Sequence, residues 1–254
     1  MDRPSQPVRL YGIPFSQPVR AVMWLLLHKR VPFEMVPISP GSKGDSGSRN
    51  PAYLAKNPGG TIPTLEEPDT GFVLGESHAI LCYLANKHGW TDVYPAEPQR
   101  RARVDWYLHY HHRNVREASI ALIAPKIRKD LTIPEPILQS ATATFTRALR
   151  TLESSWLAQS RFLAGDQVTL ADFAAYMEIG QLQPGFTGVF DFEPFPNVRR
   201  WLDDMKRVDA HDDAHVVMTA LGDISAEAPS MDAIRDANGK AMAAVKRRVA
   251  ALGG

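Results

Sequence analysis

A serine residue follows the first predicted strand at the point where a helix begins. Residues Val8–Tyr11 alternate in polarity and predict a strand, whereas Val19–Lys29 carries apolar residues at helical spacing. Ser16 lies between these segments, and Pro18 falls in the first helical turn. A hydroxyl group in this position can cap the helix, and the positive end of the helix dipole stabilises an anion there. The segment therefore places a hydroxyl group at the positive end of a helix, just past the carboxyl end of a strand.

A second stretch that could do chemistry combines a turn, a broken strand and the start of a helix. Asn57-Pro58-Gly59-Gly60 predicts the turn, and Pro63 interrupts the β-type run that follows. A proline there indicates a bend, a strand end or a cis bond, and it leaves the main-chain N–H and C=O of Ile62 available for an extended ligand. The helix then begins at Glu76 and Ser77, whose N–H groups, carboxylate and hydroxyl can receive charged groups. An ordinary ββα unit with a capped helix explains the same residues, so both interpretations stay open at this point.

The composition limits the class of protein. The chain has 254 residues, of which 44% are hydrophobic and 22% charged, and 29 basic against 28 acidic side chains leave a formal net charge of +1. This balance provides no bulk field for nucleic acid or an anionic membrane surface. The N-terminus carries no apolar targeting stretch, and no apolar run approaches the length of a membrane span. The single cysteine excludes an internal disulfide and favours a reducing compartment such as the cytoplasm.

The order of predicted elements indicates two architectures in succession. The first ninety residues predict a βαβ unit followed by a ββα unit, with an irregular loop at Ser39–Asn50 that we expect to be mobile. The remainder is predicted to be helical, and Pro125 should kink or end its first long helix, Glu97–Lys129. Further helices are predicted at Pro134–Gln159, after the capping box Thr169-Leu170-Ala171-Asp172, at Pro196–Met205 and at Ala214–Leu221. The fold class is therefore α/β followed by all-α.

Several separated motifs occur in a fixed order through residues 8–220. They are Ser16-Gln17-Pro18-Val19-Arg20-Ala21, the stretch from Asn57 to Pro63, Glu76-Ser77, Tyr94-Pro95, Arg101-Ala102-Arg103-Val104-Asp105 and the stretch from Phe162 to Asp172. In this arrangement the chain resembles the theta class of the glutathione S-transferases. The resemblance implies a thioredoxin-like glutathione-binding domain at 1–90, an all-helical bundle domain at 97–222 that completes the electrophile site, and a tail at 223–254.

The resemblance also implies an activity. The protein would join the thiolate of glutathione to small apolar electrophiles, and it could reduce organic peroxides. Glutathione would be a co-substrate, with neither a cofactor nor a metal, and the chain would form a homodimer that binds no nucleic acid or membrane. Two other functions are weighed against this one. One is a non-catalytic interaction module of the same fold, and the other is a glutaredoxin-like reductase, which needs a cysteine where Ser16 stands.

Site residues follow from the resemblance position by position. Ser16 would be the catalytic residue that stabilises the thiolate; Tyr11 is the alternative donor, although its place at a strand end favours a role in the core. Phe15 and Arg116 would lie at the electrophile. The residues expected to bind glutathione are Gln17, Arg49, Thr61, Ile62, Pro63, Glu76 and Ser77.

Three departures from the family pattern affect the expected contacts. Arg113 stands near the place where many transferases carry an aspartate that reaches the substrate of the partner subunit. Thr61 stands where theta members often carry lysine. The loop Ser39–Asn50 is longer than usual, so Lys43 and Arg49 are both candidates for the glycine carboxylate.

Weaker functional alternatives attach to three other features. Cys82 lies in the middle of a predicted helix, where packing explains it better than nucleophilic chemistry. His109 and His112 are one helical turn apart, but no third ligand lies at metal spacing, so no metal site is predicted. The tail predicts an amphipathic helix interrupted at Gly239. It can form a lid over an apolar site or a loosely ordered surface segment.

Overall fold

Four short strands pair into one mixed sheet in a computed structural model of the chain, which describes residues 6–128 and 131–252. The strands are β1 (Val8–Tyr11), β2 (Phe33–Val36), β3 (Thr64–Glu67) and β4 (Phe72–Gly75), in the spatial order β2-β1-β3-β4. β1 is parallel to β2 and antiparallel to β3, and β3 is antiparallel to β4. The predicted βαβ and ββα units are therefore confirmed.

The register of the sheet brings three chain segments to one end. Thr64, the first residue of β3, pairs with Tyr11 on one side and with Gly75 on the other. The chain leaves β1 after Tyr11, enters β3 before Thr64 and leaves β4 after Gly75. The segments that carry Ser16, Ile62 and Glu76 consequently all emerge from the same end of the sheet.

Three helices accompany this sheet: α1 (Gln17–His28), α2 (Pro51–Leu54) and α3 (Ser77–His88). α1 is apolar around most of its circumference, and Trp24, Leu25 and Leu26 are fully buried. A helix of this composition is stable only where it is covered on several sides, which explains its place in the core.

The remaining elements are helical. They are α4 (Pro98–His111), α5 (Ala124–Ile127), α6 (Glu135–Thr151), α7 (Leu157–Gln159), α8 (Leu170–Ile179), α9 (Pro196–Met205), α10 (His211–Leu221) and α11 (Met231–Ala250). Short π-helical segments occur at Ser119–Ile123 and Leu152–Trp156, and one 3₁₀ turn occurs at Gly180–Leu182.

The prediction of one long helix over Glu97–Lys129, kinked or ended at Pro125, is wrong, because the helix ends at His111. The Asn114 side chain donates a 2.8 Å hydrogen bond to the carbonyl of Tyr110 and so competes with the helical ladder. Pro125 falls in the first turn of α5, where a missing N–H is tolerated. Asn114, rather than Pro125, therefore ends the helix.

The predicted capping box at the start of α8 is confirmed. The Asp172 carboxylate accepts hydrogen bonds from the Thr169 N–H at 2.9 Å, the Leu163 N–H at 2.9 Å and the Trp201 indole at 3.0 Å. Burial raises the pKa of Asp172 to about 6, although these donors oppose the shift. The residue ties three segments together and has a folding role.

The chain divides into two compact units. The first comprises Met1–Leu84, Asp209–Val217 and Arg235–Gly254, and the second comprises Ala85–Val208 and Met218–Ile234. The domain boundaries expected from the resemblance stay predictions, since two later segments of the chain belong to the first unit. No helix within the two described ranges is both long and apolar enough to cross a membrane.

Candidate functional site

The loop after β1 presents the hydroxyl group of Ser16 without using it. The Ser16 N–H donates to the carbonyl of Ile13 at 3.0 Å, and the Ser16 carbonyl accepts from the Arg20 N–H at 2.9 Å. Ser16 is the N-cap of α1 by its backbone, but its side chain makes no capping bond, contrary to expectation. Within residues 6–128 and 131–252 the half-buried hydroxyl has no hydrogen-bond partner. It therefore remains available at the positive end of α1.

The residue before Ser16 is held by both of its backbone groups. The Phe15 carbonyl accepts a 2.7 Å hydrogen bond from the guanidinium of Arg20, which is fully buried. The Phe15 N–H donates a 2.9 Å bond to Oδ1 of Asn238 in α11. Arg20 and Asn238 were missed as site residues. The predicted motif contained Arg20, whereas no local pattern in the sequence points to Asn238.

Tyr11, the alternative donor, is committed elsewhere. Its hydroxyl donates a short hydrogen bond to the Glu66 carboxylate on β3, and its side chain is buried. Burial, reinforced by the bond to Glu66, raises the pKa of Tyr11. A phenol that is already bonded to a carboxylate is poorly suited to donate to a second anion.

The main chain at Ile62 is unpaired beside the sheet end. The Ile62-Pro63 peptide bond is cis, one of the three possibilities left open by the sequence. Within the described part of the chain, neither the N–H nor the C=O of Ile62 makes a hydrogen bond. The preceding carbonyl, that of Thr61, accepts from the Tyr53 hydroxyl at 2.6 Å and from the Asn57 amide at 3.0 Å. Ile62 thus offers one donor and one acceptor for pairing with an extended peptide.

Glu76 and Ser77 form the start of α3, as predicted. Glu76 has a left-handed φ of +64°, and its carbonyl accepts from the Ile80 N–H at 2.9 Å. This conformation is unfavourable for a residue with a Cβ atom, and such outliers are common at functional sites. Ser77 is a buried residue, and its hydroxyl has no partner among the described residues. The helix N-terminus is therefore ready to receive a carboxylate.

Arg49 lies against the glycine turn that leads to Ile62. Gly60 has a φ of +59°, and a Cβ atom built on it would stand 2.8 Å from Nη1 of Arg49. The guanidinium makes no hydrogen bond or ion pair with another described residue. Between the two glycine-carboxylate candidates, this position favours Arg49 over Lys43.

Two family models match the chain. The model of the glutathione S-transferase N-terminal domain matches residues 10–98, and that of the C-terminal domain matches residues 113–204. Human glutathione S-transferase theta-1 is 32% identical over 232 residues, which cover 88% of this chain and 94% of the relative. The chain belongs to the theta class of the glutathione S-transferases.

Other members of this transferase family agree in sequence and fold. Human glutathione S-transferase theta-2B is 35% identical over 192 residues, covering 73% of this chain and 75% of the relative. The apo structure of human transferase T1-1 matches with a TM-score of 0.73 and 28% identity over 95% of this chain and 99% of that one. Human theta-2 in complex with glutathione and an unknown ligand matches with a TM-score of 0.71 and 27% identity, covering 96% and 98%.

Arg116 of this transferase lies in the second compact unit. Its guanidinium is ion-paired with Glu178, a buried carboxylate that also accepts a 2.6 Å bond from the Ser119 hydroxyl. About 39% of the Arg116 side chain is exposed, so part of the guanidinium can still meet a ligand. Within the described ranges, no cluster of three or more histidine, cysteine or acidic residues could hold a metal ion.

Proposed function

We propose that this theta-class transferase activates the thiol of bound glutathione with the hydroxyl of Ser16. The observation that carries this assignment is the contrast between two hydroxyl groups at the same strand end. The Ser16 hydroxyl is uncommitted at the N-terminus of α1, whereas the Tyr11 hydroxyl is bonded to Glu66. Ser16 would donate a hydrogen bond to the sulfur and would not itself attack the electrophile.

The pKa of the glutathione thiol needs to fall by only a modest amount. A cysteine thiol has a pKa of about 8.5, so only a few per cent is ionised at neutral pH. A hydrogen bond to a charged group contributes roughly 1.5–3 kcal/mol, which corresponds to about 1–2 units of pKa. The dipole of α1 acts in the same direction. One serine at this position is therefore sufficient to make the thiolate abundant.

Three segments at the end of the sheet would hold the tripeptide. The γ-glutamyl end would bind at Glu76 and Ser77, where the carboxylate of Glu76 meets the substrate amine and the helix N-terminus meets its carboxylate. The cysteinyl main chain would pair with Ile62, next to cis-Pro63. The glycine carboxylate would bind Arg49, which lies against Gly60. Thr61 and Gln17, in the flanking segments, would complete the glutathione site.

The reaction is a nucleophilic displacement. The thiolate sulfur forms a bond to an electrophilic carbon, the bond to the leaving group breaks, and the leaving group departs with the electron pair. The thiol proton passes to solvent when the thiolate forms. Small apolar halides are the proposed electrophiles, and Phe15 and Arg116 are the proposed contacts. Organic peroxides are a further proposed class: the thiolate attacks a peroxide oxygen, the O–O bond breaks and an alcohol leaves, and a second glutathione converts the resulting sulfenic acid into glutathione disulfide and water. Glutathione is the co-substrate, and we further propose a cytoplasmic homodimer that requires no cofactor.

The decisive experiment compares three proteins: wild type, Ser16→Ala and Tyr11→Phe. Conjugation of glutathione to a small alkyl or aryl halide is measured, and the thiol pKa of bound glutathione is obtained from the ultraviolet absorbance of the thiolate against pH. We expect Ser16→Ala to raise that pKa by about 1–2 units and to lower kcat/KM. Tyr11→Phe should leave the thiol pKa unchanged. An unchanged pKa in folded Ser16→Ala would exclude the proposed role.

A further inference from the structure

From Arg235 onward, the C-terminal helix α11 belongs to the first compact unit. Its apolar residues Ile234, Ala237, Ala241 and Val245 follow helical spacing and are buried. Asn238 lies on the same face, between Ile234 and Ala241, and is half-buried. Within the tail, Met231–Ala250 is thus a packed helix rather than a loose surface segment. One polar residue on its inner face reaches the loop that carries Ser16.

That contact includes a hydrogen bond between residues at opposite ends of the chain. Oδ1 of Asn238 accepts from the Phe15 N–H at 2.9 Å, although the two residues are 223 positions apart. Arg20 holds the other side of the Phe15 backbone through its carbonyl at 2.7 Å. The Phe15 carbonyl and the Ser16 N–H belong to one rigid peptide plane. The two contacts together therefore fix the orientation from which the Ser16 Cα–Cβ bond departs.

Helix propensity does not explain why α11 has an asparagine at position 238. Asparagine in a helix interior is less favourable than alanine, and the glycine that follows it is less favourable still. A Cβ atom at Gly239 would meet no other atom within 4 Å, so Gly239 makes no close approach that requires glycine. The hydrogen bond to Phe15 gives Asn238 a role that alanine could not fill.

We propose that Asn238 is a positioning residue for the thiolate site, since it holds the Phe15 N–H and thereby aims the Ser16 hydroxyl at the sulfur of glutathione. This inference rests on the proposed function of Ser16 and extends it to α11. The C-terminal helix is then part of the machinery that ionises glutathione, in addition to any cover it provides. Its contribution passes through the loop backbone, and Asn238 need not touch the substrate.

The test is a double-mutant cycle on the full chain. The proteins are wild type, Asn238→Ala, Ser16→Ala and the double variant, with Gly239→Ala as the matched control on the same helix. Asn238→Ala should raise the thiol pKa of bound glutathione and lower kcat/KM about three- to tenfold, the effect of one neutral hydrogen bond. Added to Ser16→Ala, it should change neither quantity further. Gly239→Ala should match wild type in both.

The possible results distinguish a failure of the proposed function of Ser16 from a failure of the positioning role of Asn238. Without glutathione conjugation by the wild type, or with an unchanged thiol pKa in Ser16→Ala, the proposed function fails and this inference fails with it. If Ser16→Ala behaves as expected but folded Asn238→Ala keeps the wild-type thiol pKa, only the positioning role is overturned. Equal effects of Asn238→Ala in both backgrounds would also overturn it. The positioning role would also be overturned if neither Asn238→Ala nor Asn238→Ser folds while Gly239→Ala does, because Asn238 would then be needed for folding.

Discussion

The hydroxyl of Tyr53 donates a 2.6 Å hydrogen bond to the main-chain carbonyl of Thr61. Tyr53 is buried, so this carbonyl points towards the interior of the first unit. The Thr61 carbonyl and the Ile62 N–H lie on opposite sides of one planar peptide group. Holding the carbonyl inward therefore directs the Ile62 N–H outward, where a glutathione main chain would need it.

We expect Tyr53→Phe to weaken glutathione binding more than turnover. The variant loses the bond to Thr61, while the Asn57 amide still reaches the same carbonyl at 3.0 Å. The KM for glutathione should rise a few-fold with kcat nearly unchanged, and the free energy of unfolding should fall by about 1 kcal/mol. Tyr83→Phe is the control, because its hydroxyl donates to Glu67 at 2.7 Å. It should lower stability without changing KM, and equal KM changes in both variants would contradict the prediction.

The parts of the site that were predicted from sequence depend on local patterns. Ser16 follows a strand and opens a helix, and Glu76 and Ser77 open another, so residue type and spacing within a few positions were enough to predict these places in the fold. The parallel pairing of β1 with β2 and the hairpin of β3 and β4 also followed from adjacent elements, whereas the pairing of β1 with β3 was not predicted. The chemistry of glutathione itself came from the family resemblance rather than from these patterns.

The missed parts depend on contacts between distant residues or on competition within one turn. The bond between Phe15 and Asn238 joins positions 223 apart, and no periodicity encodes it. In the sequence, Tyr53 looks like any other buried aromatic residue, so its bond to the Thr61 carbonyl could not be predicted. The end of α4 differs from the prediction because Asn114 competes locally for a carbonyl, whereas the sequence pattern points to proline as the helix breaker.

The left-handed backbone of Glu76 predicts that this residue lowers the stability of the fold while its carboxylate contributes to substrate binding. A residue with a Cβ atom at a φ of +64° is destabilised by roughly 1–2 kcal/mol, and glycine removes this strain. We expect Glu76→Gly to be about 1 kcal/mol more stable than Glu76→Ala by chemical denaturation. Both variants lose the carboxylate, so both should raise the KM for glutathione equally. Equal stabilities of the two would show that the backbone at Glu76 is not strained.

Arg49 should recognise the glycine carboxylate of glutathione. Arg49→Gln removes the charge that lies against Gly60 and should raise the KM for glutathione about tenfold, the effect of one charge-assisted hydrogen bond. With the glycine ethyl ester of glutathione, wild type and Arg49→Gln should have similar KM values, because the ester lacks that carboxylate. Lys43→Gln is the control on the same loop and should behave as wild type. A tenfold rise for Lys43→Gln alone would transfer the role to Lys43.

A pair of histidines packs α10 against α1 within the first unit. His215 is buried, its Nδ1 donates to the His211 carbonyl at 2.7 Å, and the two imidazole rings stack at 4.4 Å between centroids. The ring centroids of Trp24 and His215 lie 5.1 Å apart, and the two ring planes are nearly perpendicular. Burial, together with the electrostatic interactions with His211 and Arg20, lowers the pKa of His215 well below 6.5. The ring is therefore neutral in the folded protein.

This depressed pKa predicts acid sensitivity of a definite sign. The unfolded chain binds a proton at His215 below about pH 6.5, whereas the folded protein does not, so stability is full above that pH and falls as the pH drops through it. The loss should approach about 1.4 kcal/mol per pH unit. The free energy of unfolding of His215→Gln and of wild type should be measured in denaturant at pH 7.5 and at pH 5.5. The amount by which His215→Gln is less stable than wild type should be about 1 kcal/mol smaller at pH 5.5 than at pH 7.5. Val217→Ala, a buried apolar change on the same helix, should destabilise equally at both values. A penalty for His215→Gln that is the same at both pH values would mean that His215 carries no depressed pKa in the fold.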